Sequence, residues 1–145
     1  MPPDPDRVAV VVSCDGAARG NPGPAGIGAV IETAAGEVLD RIAEGIGETT
    51  NNVAEYRAAL EGLRRAAALG ATDGLLRSDS HLMVEQLAGR YRVKAEHLKP
   101  LHAAVLVEAR RFDRIRFEHV PRARNKEADR LANVGVDAWL AARQR

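Results

Sequence analysis

Arg7-Val8-Ala9-Val10-Val11-Val12-Ser13-Cys14 runs without a break into Asp15-Gly16-Ala17-Ala18-Arg19-Gly20-Asn21-Pro22-Gly23-Pro24-Ala25-Gly26. The first eight residues are mostly β-branched and apolar, the pattern of a central strand buried on both faces. The span from Gly16 to Gly26 holds four glycines and two prolines and reads as a turn. What lies beyond the turn decides the class. Residues 27–33 and 37–46 read as two more strands, with Ala35-Gly36 as the hairpin turn between them. Three strands in quick succession imply an antiparallel meander whose first member ends in an acid.

The period then changes. Val53, Tyr56, Leu60, Leu63 and Ala67 fall at helical spacing, and Gly70 ends that helix. Thr50-Asn51-Asn52 offers N-cap side chains before it. Ala59, Gly62 and Ala66 make a face of small residues suited to lying close on a sheet. Residues 74–78 read as a short strand, and 81–87 as a short helix stopped by Gly89. Residues 98–110 read as a helix, 115–120 as a strand and 125–142 as a final amphipathic helix. The order βββαβααβα gives an α/β fold: a five-stranded mixed sheet, three strands antiparallel and then two parallel, flanked by helices. One domain over residues 7–142 is expected, with residues 1–6 as a disordered tail.

Composition narrows the class of function. Hydrophobic residues make up 46% and charged residues 28% of the 145 positions, a globular balance. No apolar run approaches the roughly 20 residues that span a bilayer, and the N-terminus lacks the basic region of a secretory signal. Cys14 is the one cysteine, which excludes an intramolecular disulfide and fits a reducing cytoplasm. The net charge of +1 conceals an asymmetry. Residues 1–72 carry 6 basic and 10 acidic side chains, residues 73–145 carry 15 and 10. Such polarity suits a protein that gathers cations at one place and a phosphate backbone at another, and it is also ordinary for a surface. Nothing in the pattern demands a dimer, and a monomer is expected.

Four acids stand where chemistry is done in such sheets. Asp15 ends the first strand and Asp79 the fourth. If those strands are parallel neighbours, both carboxylates emerge at the carboxyl edge where open α/β sheets bind ligands. Glu55 lies in the first turn of the first long helix, and Asp129 in the first turns of the last. Four carboxylates brought together repel one another unless divalent cations neutralise them. Mg²⁺ favours oxygen ligands, and two such ions about 3.5–4 Å apart form a clamp for in-line phosphoryl displacement. Each acid alone also has an ordinary reading: Asp15 as part of a turn, Glu55 as a favourable charge at a helix N-terminus, Asp79 as a helix cap, Asp129 as a solvated helix residue.

The words around these acids resemble those of ribonuclease HI. The stretch from Asp15 to Gly26 resembles the family's opening signature, Thr50-Asn51-Asn52-Val53-Ala54-Glu55 its second motif and Ser78-Asp79-Ser80 its third. Asn125-Lys126-Glu127-Ala128-Asp129-Arg130-Leu131-Ala132 resembles the last. The motifs fall in the family's order across about residues 7–140. The resemblance implies a ribonuclease H-like fold and hydrolysis of the RNA strand of an RNA–DNA hybrid, leaving 5′-phosphate and 3′-hydroxyl ends. It implies that Asp15, Glu55, Asp79 and Asp129 ligate two Mg²⁺ or Mn²⁺ ions. It also places Asn21, Asn51 and Asn52 in the minor groove, where amides donate to base acceptors with little sequence preference. Thr50 resembles a residue of a DNA-phosphate pocket. Backbone groups of the glycine-rich turn, Gly16 among them, and Glu55 are candidates for contact with 2′-hydroxyls. Local capping and turn formation are the competing roles for Thr50 and the asparagines.

The sequence departs from the family in three places. The stretch from His119 to Asn125 is too short for the loop that carries a histidine in many members. His119 falls inside a strand and is expected to be structural, so Arg122 or Arg124 is expected to hold the scissile phosphate or ease product departure. A basic protrusion after the third motif is missing. Only Gly89-Arg90-Tyr91-Arg92-Val93-Lys94 joins the helices there, either as a smaller DNA-strand contact or as a solvated loop. His81 stands where other members carry a glutamine that touches the hybrid, and it keeps the ability to donate. Rival readings are a resolvase-like DNA nuclease of the same superfold, a hybrid-binding module without catalysis and a metabolite-binding α/β protein. The combined motifs disfavour the first, and the presence of all four acids the second. The lack of a Walker or dinucleotide loop disfavours the third.

Overall fold

The computed structural model describes residues 6–144. Residues 1–5 of the expected tail lie outside the described residues. The elements follow the expected order: β1 (Ala9–Ala18), β2 (Gly23–Thr33), β3 (Val38–Thr49), α1 (Asn51–Ala68), β4 (Asp73–Ser78), α2 (His81–Leu87), α3 (Lys99–Ala109), β5 (Arg114–His119) and α4 (Lys126–Arg143). Short 3₁₀ turns at Glu96–Leu98 and Arg122–Arg124 lead into α3 and α4. The sheet order is β3-β2-β1-β4-β5. β1, β2 and β3 pair antiparallel, while β1, β4 and β5 pair parallel. Among the described residues no helix is long and apolar enough to cross a membrane.

The glycine-rich stretch departs from its expected form. It is not one long turn: β1 continues to Ala18 and β2 begins at Gly23, with Asp15 opposite Gly28 and Gly16 opposite Ile27 in the ladder. Only residues 19–22 turn the chain, and the Asn21–Pro22 peptide is cis. Two of the glycines are there for close approach. A Cβ on Gly16 would lie 2.2 Å from the backbone of Ala54 and 2.3 Å from the nitrogen of Glu55, so β1 rests directly on the first turns of α1. A Cβ on Gly28 would lie 2.2 Å from the carbonyl oxygen of Ala128, so β2 rests in the same way on the start of α4. Both helices that carry an expected acid are thus seated by a residue without a side chain.

The helices cover opposite faces of the meander. Val12, Cys14 and Ala29 meet the small-residue face of α1, where Leu63 and Ala66 are fully buried. Gly26 and Gly28, alternating with Ile27 and Ala29 along β2, meet α4. Helix ends follow local rules. Thr50 accepts from the backbone N–H of Val53 at 3.3 Å and caps α1. The positive φ of Gly70 and Gly89 turns the chain just past α1 and α2.

Candidate metal centre at the sheet edge

β1 and β4 are the central parallel pair, and their last paired residues are Ser13 and Arg77. Beyond that point β1 continues against β2 alone, while β4 stops at Ser78. The two strands part, and the opening receives Asp15 from one and Asp79 from the loop after the other. Asp15 therefore lies three residues inside β1 rather than at its end. Glu55 is the fifth residue of α1, not in its first turn, and the contact of Gly16 with the Ala54–Glu55 backbone brings it to the opening.

Asp15, Glu55 and Asp79 each present an oxygen, and the three lie within 4.8 Å of one another. Asp129, in the first turn of α4, joins them around a cavity of about 220 Å³ that Arg122 and Asn133 also line. A larger concavity of about 940 Å³ lies near the start of β4. Its acids Asp73 and Asp113 are both paired with Arg7, so it gathers no comparable set.

The electrostatics are those of crowded carboxylates, with Arg122, among the described residues, as the one positive side chain lining their cavity. Asp15 is 6% exposed. Its carboxyl is pushed up to about 8, first by burial, then by the charge of Asp79, by a hydrogen bond and charge from Asp129, and by Glu55. Burial also raises Glu55, with Asp79 adding to the rise, while a hydrogen bond to Ser80 and the charge of Arg122 oppose it. Cys14 lies fully buried beneath them. Burial and the three neighbouring acids keep its thiol protonated, so it offers no thiolate to a metal. An all-carboxylate donor set with no imidazole or thiolate fits a hard divalent cation such as Mg²⁺ or Mn²⁺.

The capping alternatives divide. Ser80, not Asp79, caps α2 by accepting from the N–H of Met83 at 3.3 Å, which leaves the Asp79 carboxylate to the cluster. Thr50 does cap its helix. Asn21 and Asn51 both have local work. Asn51 Oδ1 accepts from the N–H of Ala18 at 3.0 Å, and Asn21 Oδ1 accepts from the N–H of Asn51 at 3.1 Å, which ties the β1–β2 turn to α1. Only the carbonyl ends of these amides are used so, and it is the amino end that a base acceptor in a minor groove needs. Asn52 is exposed beside a groove of about 530 Å³ that includes Leu82, Tyr91, Arg92 and Lys94. Arg90 in the same loop is spent on Glu85, with two bonds of 2.7 Å.

The far side of the site gains detail. His119 is the last residue of β5, within the strand as expected, and it is exposed, its ring 5.3 Å from that of His81. His81 in turn stands 5.9 Å from Tyr91, so the three rings form an exposed row with His81, two residues after Asp79, at its centre. Arg122 and Arg124, treated alike from the sequence, separate: Arg122 lines the acidic cavity, and Arg124 is not among its lining residues. Sequence reasoning missed Asn133. Its Nδ2 donates to the Asp129 carbonyl at 3.0 Å and reaches the Asp129 carboxylate at 3.4 Å, while Arg19 donates to its Oδ1 at 3.3 Å. The i, i+4 spacing from Asp129 was the available signal.

The chain matches the reverse transcriptase-like family over residues 13–135. The bifunctional protein Rv2228c of Mycobacterium tuberculosis is 52% identical over 130 residues, which are 89% of this chain and 36% of that protein. The chain thus spans little more than a third of that relative. The N-terminal RNase H domain of Rv2228c, solved as a fusion with maltose binding protein, is similar with a TM-score of 0.89 at 50% identity, covering 93% of this chain and 98% of that one. LC11-RNase H1, solved in complex with an RNA/DNA hybrid, is similar with a TM-score of 0.86 at 40% identity, covering 90% and 99%.

Proposed function

The chain belongs to the ribonuclease H family, and on that premise we propose that its domain over residues 7–142 is an endonuclease for the RNA strand of RNA–DNA hybrids. The reading is of two-metal-ion hydrolysis with Mg²⁺ or Mn²⁺, leaving 5′-phosphate and 3′-hydroxyl ends. The observation that carries it is the convergence of Asp15, Glu55 and Asp79 within 4.8 Å, with Asp129 at the rim of the same cavity. When bound there, the ions supply acidification of water and neutralisation of charge on the phosphate and the leaving oxygen.

The chain's own residues do the rest. Burial and neighbouring acids raise both Asp15 and Glu55, so a bound cation favours their ionised forms and its binding is coupled to proton release. Asn21, Asn51 and Asn52 offer amides to the hybrid, and Gly16 offers backbone groups beside the cavity that it lines with Asn51. Thr50 fixes the start of α1 that carries Glu55. His81 is the middle ring of the row on the other side and offers a donor to the hybrid. The likeness to LC11-RNase H1, which holds an RNA/DNA hybrid, supports this substrate class over a DNA junction. The test is cleavage of a labelled hybrid beside matched double-stranded DNA and double-stranded RNA, with and without Mg²⁺. Cutting of the hybrid alone, and only with the ion, is expected. Cutting of the DNA duplex would favour the resolvase-like reading, and hybrid binding without cutting would favour the non-catalytic module.

Arg122 contacts the scissile phosphate in this reading and Arg124 does not. Arginine stays protonated and forks toward phosphate, and Arg122 already acts on Glu55 across the cavity. Arg122→Ala is expected to lower turnover by about 10–100-fold, the loss of one hydrogen bond to a charged group worth about 1.5–3 kcal/mol. Arg124→Ala is expected to leave it unchanged. Equal turnover in wild type, both single variants and the double variant would remove the arginines from the mechanism.

A further inference from the structure

Asn125 stands where three parts of the site's scaffold meet. Its backbone N–H donates to the carbonyl of Arg122 at 3.0 Å, and its carbonyl accepts from the backbone N–H of Asp129 at 3.1 Å. Its side-chain Nδ2 donates to the carbonyl of Cys14 at 2.9 Å, across 111 positions of sequence. That carbonyl belongs to the peptide that leads into Asp15. One residue is therefore bonded to the backbone of Arg122, of Asp129 and of the residue before Asp15.

Neither burial nor capping accounts for this side chain. Asn125 is 2% exposed, and its Oδ1 is buried with no partner among the described residues. An apolar residue of the same volume would leave no orphaned acceptor there. Asparagine is a favoured N-cap, and Asn125 precedes α4, yet its side chain makes no cap bond. What remains is the bond to β1. Asp15 lies on β1 and Asp129 on α4, and both line the same cavity at this seam. A neutral amide crossing the seam one residue from Asp15 ties the two elements together without adding charge.

We propose that Asn125 is a positioning residue that sets the spacing of Asp15 and Asp129, and through it the affinity of the acid cluster for divalent cations. This rests on the reading that the acids hold such cations. Residues that orient metal ligands typically govern 10–100-fold in affinity. Asn125→Ala is accordingly expected to weaken Mn²⁺ binding, measured by calorimetry on the whole chain, by about 10-fold or more. The KM for hybrid at saturating Mn²⁺ should stay within about two-fold, because Asn125 faces the scaffold and not the groove. Val136→Ala is the control: Val136 is fully buried on α4, so its truncation costs stability without touching the three bonds. It should leave Mn²⁺ affinity unchanged. If Asn125→Ala does not fold, Asn125→Ser, too short to span to Cys14, is read in the same way. A folded Asn125 variant with wild-type Mn²⁺ affinity overturns the inference, as does an equal loss in Val136→Ala. Failure of the wild-type chain to bind Mn²⁺ at all would instead overturn the metal-site reading, and this one with it.

Discussion

Asp79→Asn is expected to leave a folded protein whose cleavage of hybrid at saturating Mg²⁺ is lower by on the order of 10³-fold or more, about 4 kcal/mol of lost transition-state stabilisation. Asp79 has no structural task that would confuse the result. The helix that follows it is capped by Ser80, and the strand before it ends at Ser78. Asparagine keeps the size of the side chain and removes only its charge. That charge is what Asp15 and Glu55 feel as repulsion in the metal-free state, so the variant should melt no lower than wild type. A cation clamp acts as a unit, and the loss of one ligand therefore costs far more than a share of the whole. Single-turnover cleavage of a labelled hybrid, read beside a thermal melt, decides it. Turnover within about ten-fold of wild type, in a variant that melts normally, would show that Asp79 is not a ligand and would take the proposed mechanism with it.

Three of the acids and their common neighbourhood were legible because each stood at a break in periodicity. Asp15 followed a β-branched run, Asp79 came just after a short strand, and Glu55 lay near the start of an apolar helical stripe. Element order and the mixed sheet followed from the meander and the helices after it, whereas the pairing of β1 with β4 stood only as the condition for Asp15 and Asp79 to meet. The rest was hidden for physical reasons. A glycine that opens a turn and a glycine that lets two backbones touch are spelt alike. The span from Gly16 to Gly26 therefore read as a loop, although Gly16 lies within β1 and only residues 19–22 turn. The contact of the His119 ring with His81 of α2 joins residues 38 positions apart, which no local pattern encodes. Arg122 and Arg124 differ only in which side of a single 3₁₀ turn they occupy. Asn125 and Asn133 looked like polar helix residues, because their partners, Cys14 and Arg19, lie more than 100 positions away.

The metal-free protein is expected to lose stability as pH rises from about 5 to about 8, and Asp15→Asn is expected to abolish most of that loss. The buried Asp15 carboxyl, pushed up to about 8 by burial and then by Asp79, Asp129 and Glu55, keeps its proton in the folded state. The unfolded chain releases that proton near pH 3.9. Between the two values the folded state binds more protons, so stability falls as pH climbs, and the fall levels off once Asp15 ionises in the fold as well. Glu55, raised by burial, acts in the same direction. The surface carboxylates Asp40 and Glu127, held below the usual range by Arg65 and Arg130, act in the opposite one. Their contribution is complete by about pH 5 and does not enter this window. Asp15→Asn removes the charge and keeps the shape, so at pH 8 in a chelator it should melt higher than wild type by roughly 5–15 °C, the equivalent of a few kcal/mol. Mg²⁺ should raise the melting temperature of wild type at pH 8, because the ion binds the ionised cluster and displaces its protons. It should do little for the variant. The same substitution is thus expected to stabilise the fold and remove its activity, the signature of a residue kept for chemistry against the interest of the core. A lower melting temperature for Asp15→Asn at pH 8, or a wild-type stability that rises across this window, would show that the four acids do not crowd one another as their geometry requires.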